Sequence, residues 1–364
     1  MKRLLVSFCA LLICSLASWA QTNDFVTGAD MGWLTEYESK GYHLYDNQGN
    51  QREGTALMRD YGMSAVRIRV WVDPIRHGNW CSKEDALNKA LRAKALGMDV
   101  MIDFHYSDLW CDPAKQPIPR AWEKYDYAQM KEAVKAHTVE VLTFLQTYGI
   151  EPRWVQVGNE TTHGLLWSVR TDPATGWEIK DSLGQTTITL DMARAETHPE
   201  RYAGIIQAGY EAVKSVLPKA LVIVHLDDGF DQKLYDWNLG ILRKYGTKFD
   251  MVGMSLYPYW AIEGHKQVSA DETITNCMNN IKHVARQFGC DVMIVETGMD
   301  AYHPDEGYRQ LCRILREART GTDGHCRGVF YWEPECRPSQ YRLGAFTEDG
   351  RPTRIMQAYL DCQP

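Results

Sequence analysis

The chain has 364 residues, 45% hydrophobic and 24% charged, with a formal net charge of −7. That acidity argues against nucleic acid and other polyanions as partners and suits a neutral or weakly acidic ligand. The length supports one large core, and outside the N-terminus no apolar run approaches the roughly 18 residues a membrane helix needs.

Residues 1–20 read as a secretory signal: Lys2 and Arg3 lead into an apolar run, and Ser18-Trp19-Ala20 offers a cleavage site. A lipoprotein acylated at Cys14 would carry Ile13 where a small residue is usual, so simple cleavage is preferred. The remaining residues 21–364 form one expected catalytic domain of net charge −9, with a monomer as the default. Export leaves the periplasm, the medium and the cell surface as destinations.

Short apolar or alternating runs, expected as strands, occupy residues 25–30, 65–71 and 98–105. The run Trp154-Val-Gln-Val breaks at Gly158 and presents Asn159 and Glu160 just past its end. Further runs lie at residues 221–225, 250–257, 291–296 and 327–332, the seventh ending on Glu296. Apolar residues at three- and four-residue spacing predict helices over 85–96, 127–147, 201–216, 273–288 and 306–319. This alternation predicts an α/β fold, a single-domain (β/α)8 TIM barrel. A doubly wound open sheet is the alternative, but no Gly-rich phosphate loop follows the first strand. The insertion 166–200, rich in Thr, Asp and Gly, is placed over the face onto which Glu160 opens.

In such a barrel the strand ends converge on one face. Glu160 and Glu296 would meet there, and a glycosidase needs two carboxyls flanking the scissile bond. Each alone could instead be a solvated strand end. Asp30, Arg67, Arg69, Asp103, His105, His225, Asp227, Tyr257 and Trp332 are also strand-end residues. Arg67 and Arg69 share one face by the period-two rule, as do Asp103 and His105, which implies a buried network of arginine and carboxylate. Twelve Trp and nineteen Tyr suit stacking on sugar rings as well as core packing. His105 and His225 beside Asp103 and Asp227 lack the close spacing of a zinc or iron site, so no metal ligand is assigned. Eight cysteines remain after the leader; their pairing cannot be read from spacing, and Cys81 with Cys111 is the weakly favoured bridge.

Ordered motifs span residues 28–345: Gly28-Ala-Asp-Met, Val66-Arg-Ile-Arg-Val-Trp-Val-Asp-Pro74, Asp103-Phe-His-Tyr-Ser-Asp-Leu-Trp110 and Asp112-Pro-Ala-Lys-Gln116. They continue through Val155-Gln-Val-Gly-Asn-Glu160, Gly164-Leu-Leu-Trp167, His225-Leu-Asp-Asp-Gly229 and Ser255-Leu-Tyr-Pro-Tyr-Trp260, then Val295-Glu-Thr297 and Phe330-Tyr-Trp-Glu-Pro334. The set resembles the endo-β-1,4-galactanases of glycoside hydrolase family 53. That resemblance implies a retaining hydrolase of pectic (arabino)galactan, with Glu160 as acid/base, Glu296 as nucleophile and the two carboxyls about 5–5.5 Å apart. It further implies that Asn159 binds the sugar 2-hydroxyl, that Arg67 and Tyr257 hold Glu296, and that Trp332 floors the cleaved sugar. Asp103, His105, His225 and Asp227 would bond galactose hydroxyls, and Trp71, Trp110, Trp167 and Trp260 either stack on neighbouring sugars or pack the core. No cofactor is required. Calcium-tied loops occur in the family, but here the loops after Glu296 and Trp332 are short, and Asp300, His303, Asp305 and Glu306 read as ordinary polar residues. The rivals are a β-1,4-mannanase or endoglucanase of the same clan, and a non-catalytic glycan binder, which would not need both carboxylates.

Overall fold

In the computed structural model, which describes residues 25–170, 179–182, 184 and 187–362, a set of parallel strands closes into a barrel. They are β1 (Val26–Asp30), β2 (Ala65–Val70), β3 (Asp99–Phe104), β4 (Trp154–Val157), β5 (Leu221–Leu226), β6 (Met251–Leu256), β7 (Asp291–Thr297) and β8 (Cys326–Trp332). Each strand pairs with its chain neighbours, and β8 closes onto β1 through Val26↔Gly328 to Asp30↔Trp332. A helix follows every strand: α1 (Gly54–Asp60), α2 (Lys83–Ala95), α3 (Tyr127–Thr147), α4 (Pro199–Val216), α5 (Gln232–Lys244), α6 (Ala270–Phe288), α7 (Pro304–Thr320) and α8 (Arg354–Asp361). The expected (β/α)8 barrel is therefore the fold, while the expected leader lies outside the described residues.

The helix starts follow from local chemistry. Ser82, Asp126 and Ser269 each accept a backbone N–H of the first turn, and Asp126 forms a capping box with Gln129. Helix α5 did not stand out in the sequence because its buried face, Tyr235, Asn238, Leu239 and Leu242, includes a polar residue. Asn238 earns that position by bonding the Thr162 carbonyl at 2.7 Å and the Tyr202 hydroxyl at 2.9 Å.

The barrel interior is layered. Val26, Ala65, Met101, Trp154, Ile223, Met251, Met293, Val295 and Phe330 fill its lower part as an apolar plug. Two residues further along, the same alternation turns Arg67, Asp103, Gln156 and His225 inward above that plug. Strand β7 departs from this rule. Alternation from Met293 and Val295 would turn Glu296 outward, but a register shift pairs Met254 with Ile294 and Ser255 with Glu296. This bulge re-aims Glu296 into the barrel mouth.

The insertion after β4 forms an antiparallel hairpin, Gly164–Val169 against Ile188–Arg194, part of whose connection lies outside the described residues. Gln116 bridges to it at Trp167, so the hairpin joins the loop after β3 at the barrel mouth.

The expected Cys81–Cys111 bridge is absent: both thiols are free and buried. Cys111 Sγ instead donates to the His105 carbonyl at 3.2 Å. The disulfide present joins Cys312 on α7 to Cys362 after α8, 50 residues apart. Closing a loop of that size removes unfolded-state entropy, so Cys312→Ser is expected to cost about 2–4 kcal/mol, measured by urea denaturation. An unchanged unfolding midpoint would show that α8 docks without help from the bond.

Candidate active site

At the mouth, Arg67 is the hub. It is fully buried, and its guanidinium reaches Asp30 at 2.6 Å, Glu296 at 2.8 Å, Asp103 at 2.9 Å and Asn159 Oδ1 at 2.7 Å. A buried cation among three carboxylates and an amide is the arrangement that makes charge burial tolerable. Burial works against the Arg67 charge, but Asp103, Glu296 and Asp30 more than reverse it and fix the guanidinium as a cation.

Glu160 follows Gly158, whose φ of +84° and 2.4 Å clearance between an added Cβ and Thr161 Cγ2 leave no room for a side chain. Glu160 itself sits in the left-handed region at φ 45° and ψ 56°. Such a backbone costs a non-glycine residue about 1–3 kcal/mol and clusters where geometry serves function. Its N–H points to His225 Nδ1 at 3.3 Å, and its Oε1 accepts from Ser255 Oγ at 2.6 Å. Because His225 Nδ1 accepts, Nε2 carries the proton and donates to Ser255 Oγ at 2.9 Å. A neutral ring suits that role: burial, then the Arg67 charge, hold His225 well below its usual range.

The two glutamates therefore see different surroundings. Burial raises Glu296, but Arg67 and the Tyr257 hydroxyl, 3.0 Å from Oε2, pull it back to about 7. Glu160 bonds no cation; burial and then the Glu296 charge hold it well above the usual carboxylate range. One proton shared by the pair accordingly resides on Glu160.

Above them opens a cleft of about 530 Å³. Of the residues anticipated from sequence, His105, Trp110, Asn159, Glu160, Asp227, Tyr257, Trp260, Glu296 and Trp332 line it. Arg67, Asp103 and His225 lie beneath, wholly buried, and support the floor. Trp71 and Trp167 are buried away from the cleft; Trp71 packs edge-on to Trp110 at 5.4 Å, and Trp167 lies under Arg194. Asp300, from the loop considered for calcium, is taken up by Arg342 and His303, each at 2.7 Å.

A family model for glycosyl hydrolase family 53 matches residues 26–321. The chain belongs to that family. It is thus a glycoside hydrolase. An uncharacterized protein of Niallia circulans is 31% identical, covering 87% of this chain and 85% of its own. An endo-β-1,4-galactanase of Bacillus subtilis is 27% identical over 86% and 71%, and an arabinogalactan endo-β-1,4-galactanase of Thermothelomyces thermophilus 28% over 84% and 88%. A solved fungal β-1,4-galactanase shares the fold with a TM-score of 0.77 at 24% identity, covering 92% of this chain and 99% of that one. The GH53 catalytic domain of Ignisphaera aggregans does so at 0.76 and 23%, over 95% and 98%.

In this family 53 barrel several site residues went unnoticed in the sequence. Gln156 donates to Asp103 at 2.5 Å and accepts from Arg67 at 3.1 Å; its inward register two residues after Trp154 was the available signal. Ser255, two residues before Tyr257, was likewise readable as inward-facing. Tyr341 lies in a loop without periodicity, yet it stands 4.7 Å from the Trp332 ring and accepts from Trp260 Nε1 at 3.3 Å. Arg69 lies 4.0 Å from the Trp110 ring and pairs with Glu333 and Asp30, clamping the aromatic wall from below.

Proposed function

We propose that this enzyme cleaves internal β-1,4-galactosidic bonds of pectic (arabino)galactan by a retaining double displacement, with Glu160 as acid/base and Glu296 as nucleophile. The observation that carries the reading is the asymmetry of the pair: the Glu296 carboxyl is held by Arg67 and Tyr257, whereas the Glu160 carboxyl bonds the Ser255 hydroxyl and, among the described residues, no cation. An ionised Glu296 attacks the anomeric carbon while Glu160 protonates the departing oxygen. Forming the glycosyl-enzyme removes the Glu296 charge, so Glu160 loses its main electrostatic reason to stay protonated and accepts a proton from the incoming water. Burial favours each step by keeping these charges unscreened.

Asn159 Oδ1 accepts from Arg67 and its amide N–H donates to the Cys111 carbonyl at 2.8 Å, which orients it beside Glu160 for the 2-hydroxyl. The rings of Trp332, Trp110 and Tyr341 supply apolar faces for sugar C–H groups, and the names of the curated relatives make galactan the polymer to expect. The protein is further proposed to lose residues 1–20 on export and to act outside the cytoplasm as a monomer.

Incubation with galactan, mannan and cellulose in parallel should yield oligosaccharides of mixed length from galactan alone. Release from mannan or cellulose with galactan untouched would replace this substrate by that of a rival clan member.

A further inference from the structure

The cleft lining is of two kinds. Trp110, Trp332 and Tyr341 pack against one another as an aromatic wall. The rest carries charge: Asp112 and Lys115 after β3, Asp227 and Asp228 after β5, and Lys266 beyond β6. These charges flank Glu160, because β4 pairs with β3 on one side and β5 on the other. Gln116, next to Lys115, donates to the Glu160 carbonyl at 3.2 Å, and Asp227 accepts from the Thr162 hydroxyl. The acid/base hands its proton to the departing oxygen, so the charged side is where the leaving part of the substrate lies.

Lys266 belongs to none of the sequence motifs. It lies in the turn after the helix Pro258–Glu263, and its ammonium bonds Asp228 on the neighbouring loop. The turn is firmly built: the Lys266 and Gln267 N–H groups both donate to the Ala261 carbonyl, at 2.9 and 3.0 Å, and Gln267 accepts from Asn276 of α6 at 2.8 Å. Asp228 and His265 are held in the left-handed region, at φ 42° and 56°. Two such residues cost more than an ion pair returns when its lysine is 51% exposed. Stability alone does not account for the arrangement, and strain of this kind collects where ligands are held.

The chemistry narrows the occupant. Burial opposes the Lys266 charge, but the bond to Asp228 outweighs it and the group stays a cation. One of its three protons serves Asp228, and among the described residues no other acceptor takes the remaining two. Adjacent hydroxyls of a sugar can accept from the ammonium and donate to the carboxylate, and both bonds are charge-assisted. An acidic sugar would meet three aspartates against two lysines, and an aryl group would find no ring among these five residues to stack on. We propose that Lys266 is a specificity-determining residue, which binds hydroxyls of the sugar unit on the leaving side of the cleaved bond. That the unit is galactose rests on the galactan reading above. Because Asp228 already fixes the ammonium, binding has little side-chain freedom left to remove.

The test compares kcat/KM of the full chain and of Lys266→Met on galactotetraose and on 4-nitrophenyl β-1,4-galactobioside. Every cleavage of galactotetraose leaves a sugar against Lys266, whereas the bioside puts a phenol there. Lys266→Met is expected to lose about 10-fold on galactotetraose, the scale of one charge-assisted hydrogen bond, and to hold its value on the bioside. Lys266→Arg, which restores the donors, is expected to recover most of the loss. Equal losses on both substrates would make Lys266 a structural residue, and an unchanged value on galactotetraose would show that it binds no leaving sugar; either result overturns the proposal. Galactan cleavage by the unaltered enzyme is measured in parallel: cleavage without the split between substrates removes the role of Lys266 and leaves the galactan reading standing. No release from galactan removes the galactosyl unit along with that reading.

Discussion

Glu296→Ala is expected to lower kcat on galactan by at least about 10⁴-fold, the scale of losing a group that forms a bond to the substrate. The barrel should stay folded, because Arg67 keeps Asp30 at 2.6 Å and Asp103 at 2.9 Å. The small side chain opens a space beneath the anomeric carbon, into which added azide can enter. Azide attack from that face gives an α-galactosyl azide. The companion change Glu160→Ala removes proton delivery instead, so an aryl galactoside with a good leaving group keeps its first step, and azide acting on the glycosyl-enzyme gives the β product. Opposite configurations from the two variants would distinguish nucleophile from acid/base in a way that a loss of rate cannot. Undiminished activity in Glu296→Ala would remove the nucleophile assignment.

Arg67→Met is expected to have the second largest effect, on both stability and rate. The guanidinium is the shared partner of Asp30, Asp103 and Glu296, all of them buried. Removing one side of a buried ion pair costs about 3–5 kcal/mol, and here three anions lose it at once. The carboxyls respond by taking up protons. Glu296, already at about 7, moves higher, so the acid limb of the pH–rate profile shifts upward, by about 1–3 units on the scale of a lost arginine neighbour. The sign for stability follows. A carboxyl whose folded pKa exceeds its unfolded value binds more protons folded than unfolded, so the stability it contributes is full in acid and is lost as pH rises through the folded pKa. The deficit of Arg67→Met should thus be small in acid and grow through neutrality, in urea titrations across that range. A deficit that is flat with pH would mean that Arg67 acts by packing alone.

The barrel was readable because its signals are local and repeated. Eight apolar runs at period two and helices at period 3.6 leave few alternatives, and Asp126 or Ser269 before a helical stretch marks its start. The Arg67 and Arg69 pair was readable for the same reason, since two inward charges on one strand require inward partners. What escaped depends on contacts between distant segments. Period two alone turns Glu296 the wrong way, and only the β6–β7 register shift brings it to Arg67. Cys312 and Cys362 meet because α8 lies along α7, which no cysteine spacing reports. Helix α5 hides behind Asn238, a polar residue in a buried face. Tyr341 has no neighbours in sequence that mark it, and it reaches the cleft only through Trp332 and Trp260. His225 was readable as inward but not as wholly buried, because its depth depends on how Glu160 and Ser255 close over it.

Proton NMR of the anomeric signals during the first minutes of galactan hydrolysis tests the division of labour between Glu160 and Glu296 most directly. Double displacement through Glu296 predicts that the newly formed reducing ends appear first as the β anomer and reach the α form only by mutarotation. The α anomer appearing first would mean direct attack by water, and would contradict Glu296 as a nucleophile.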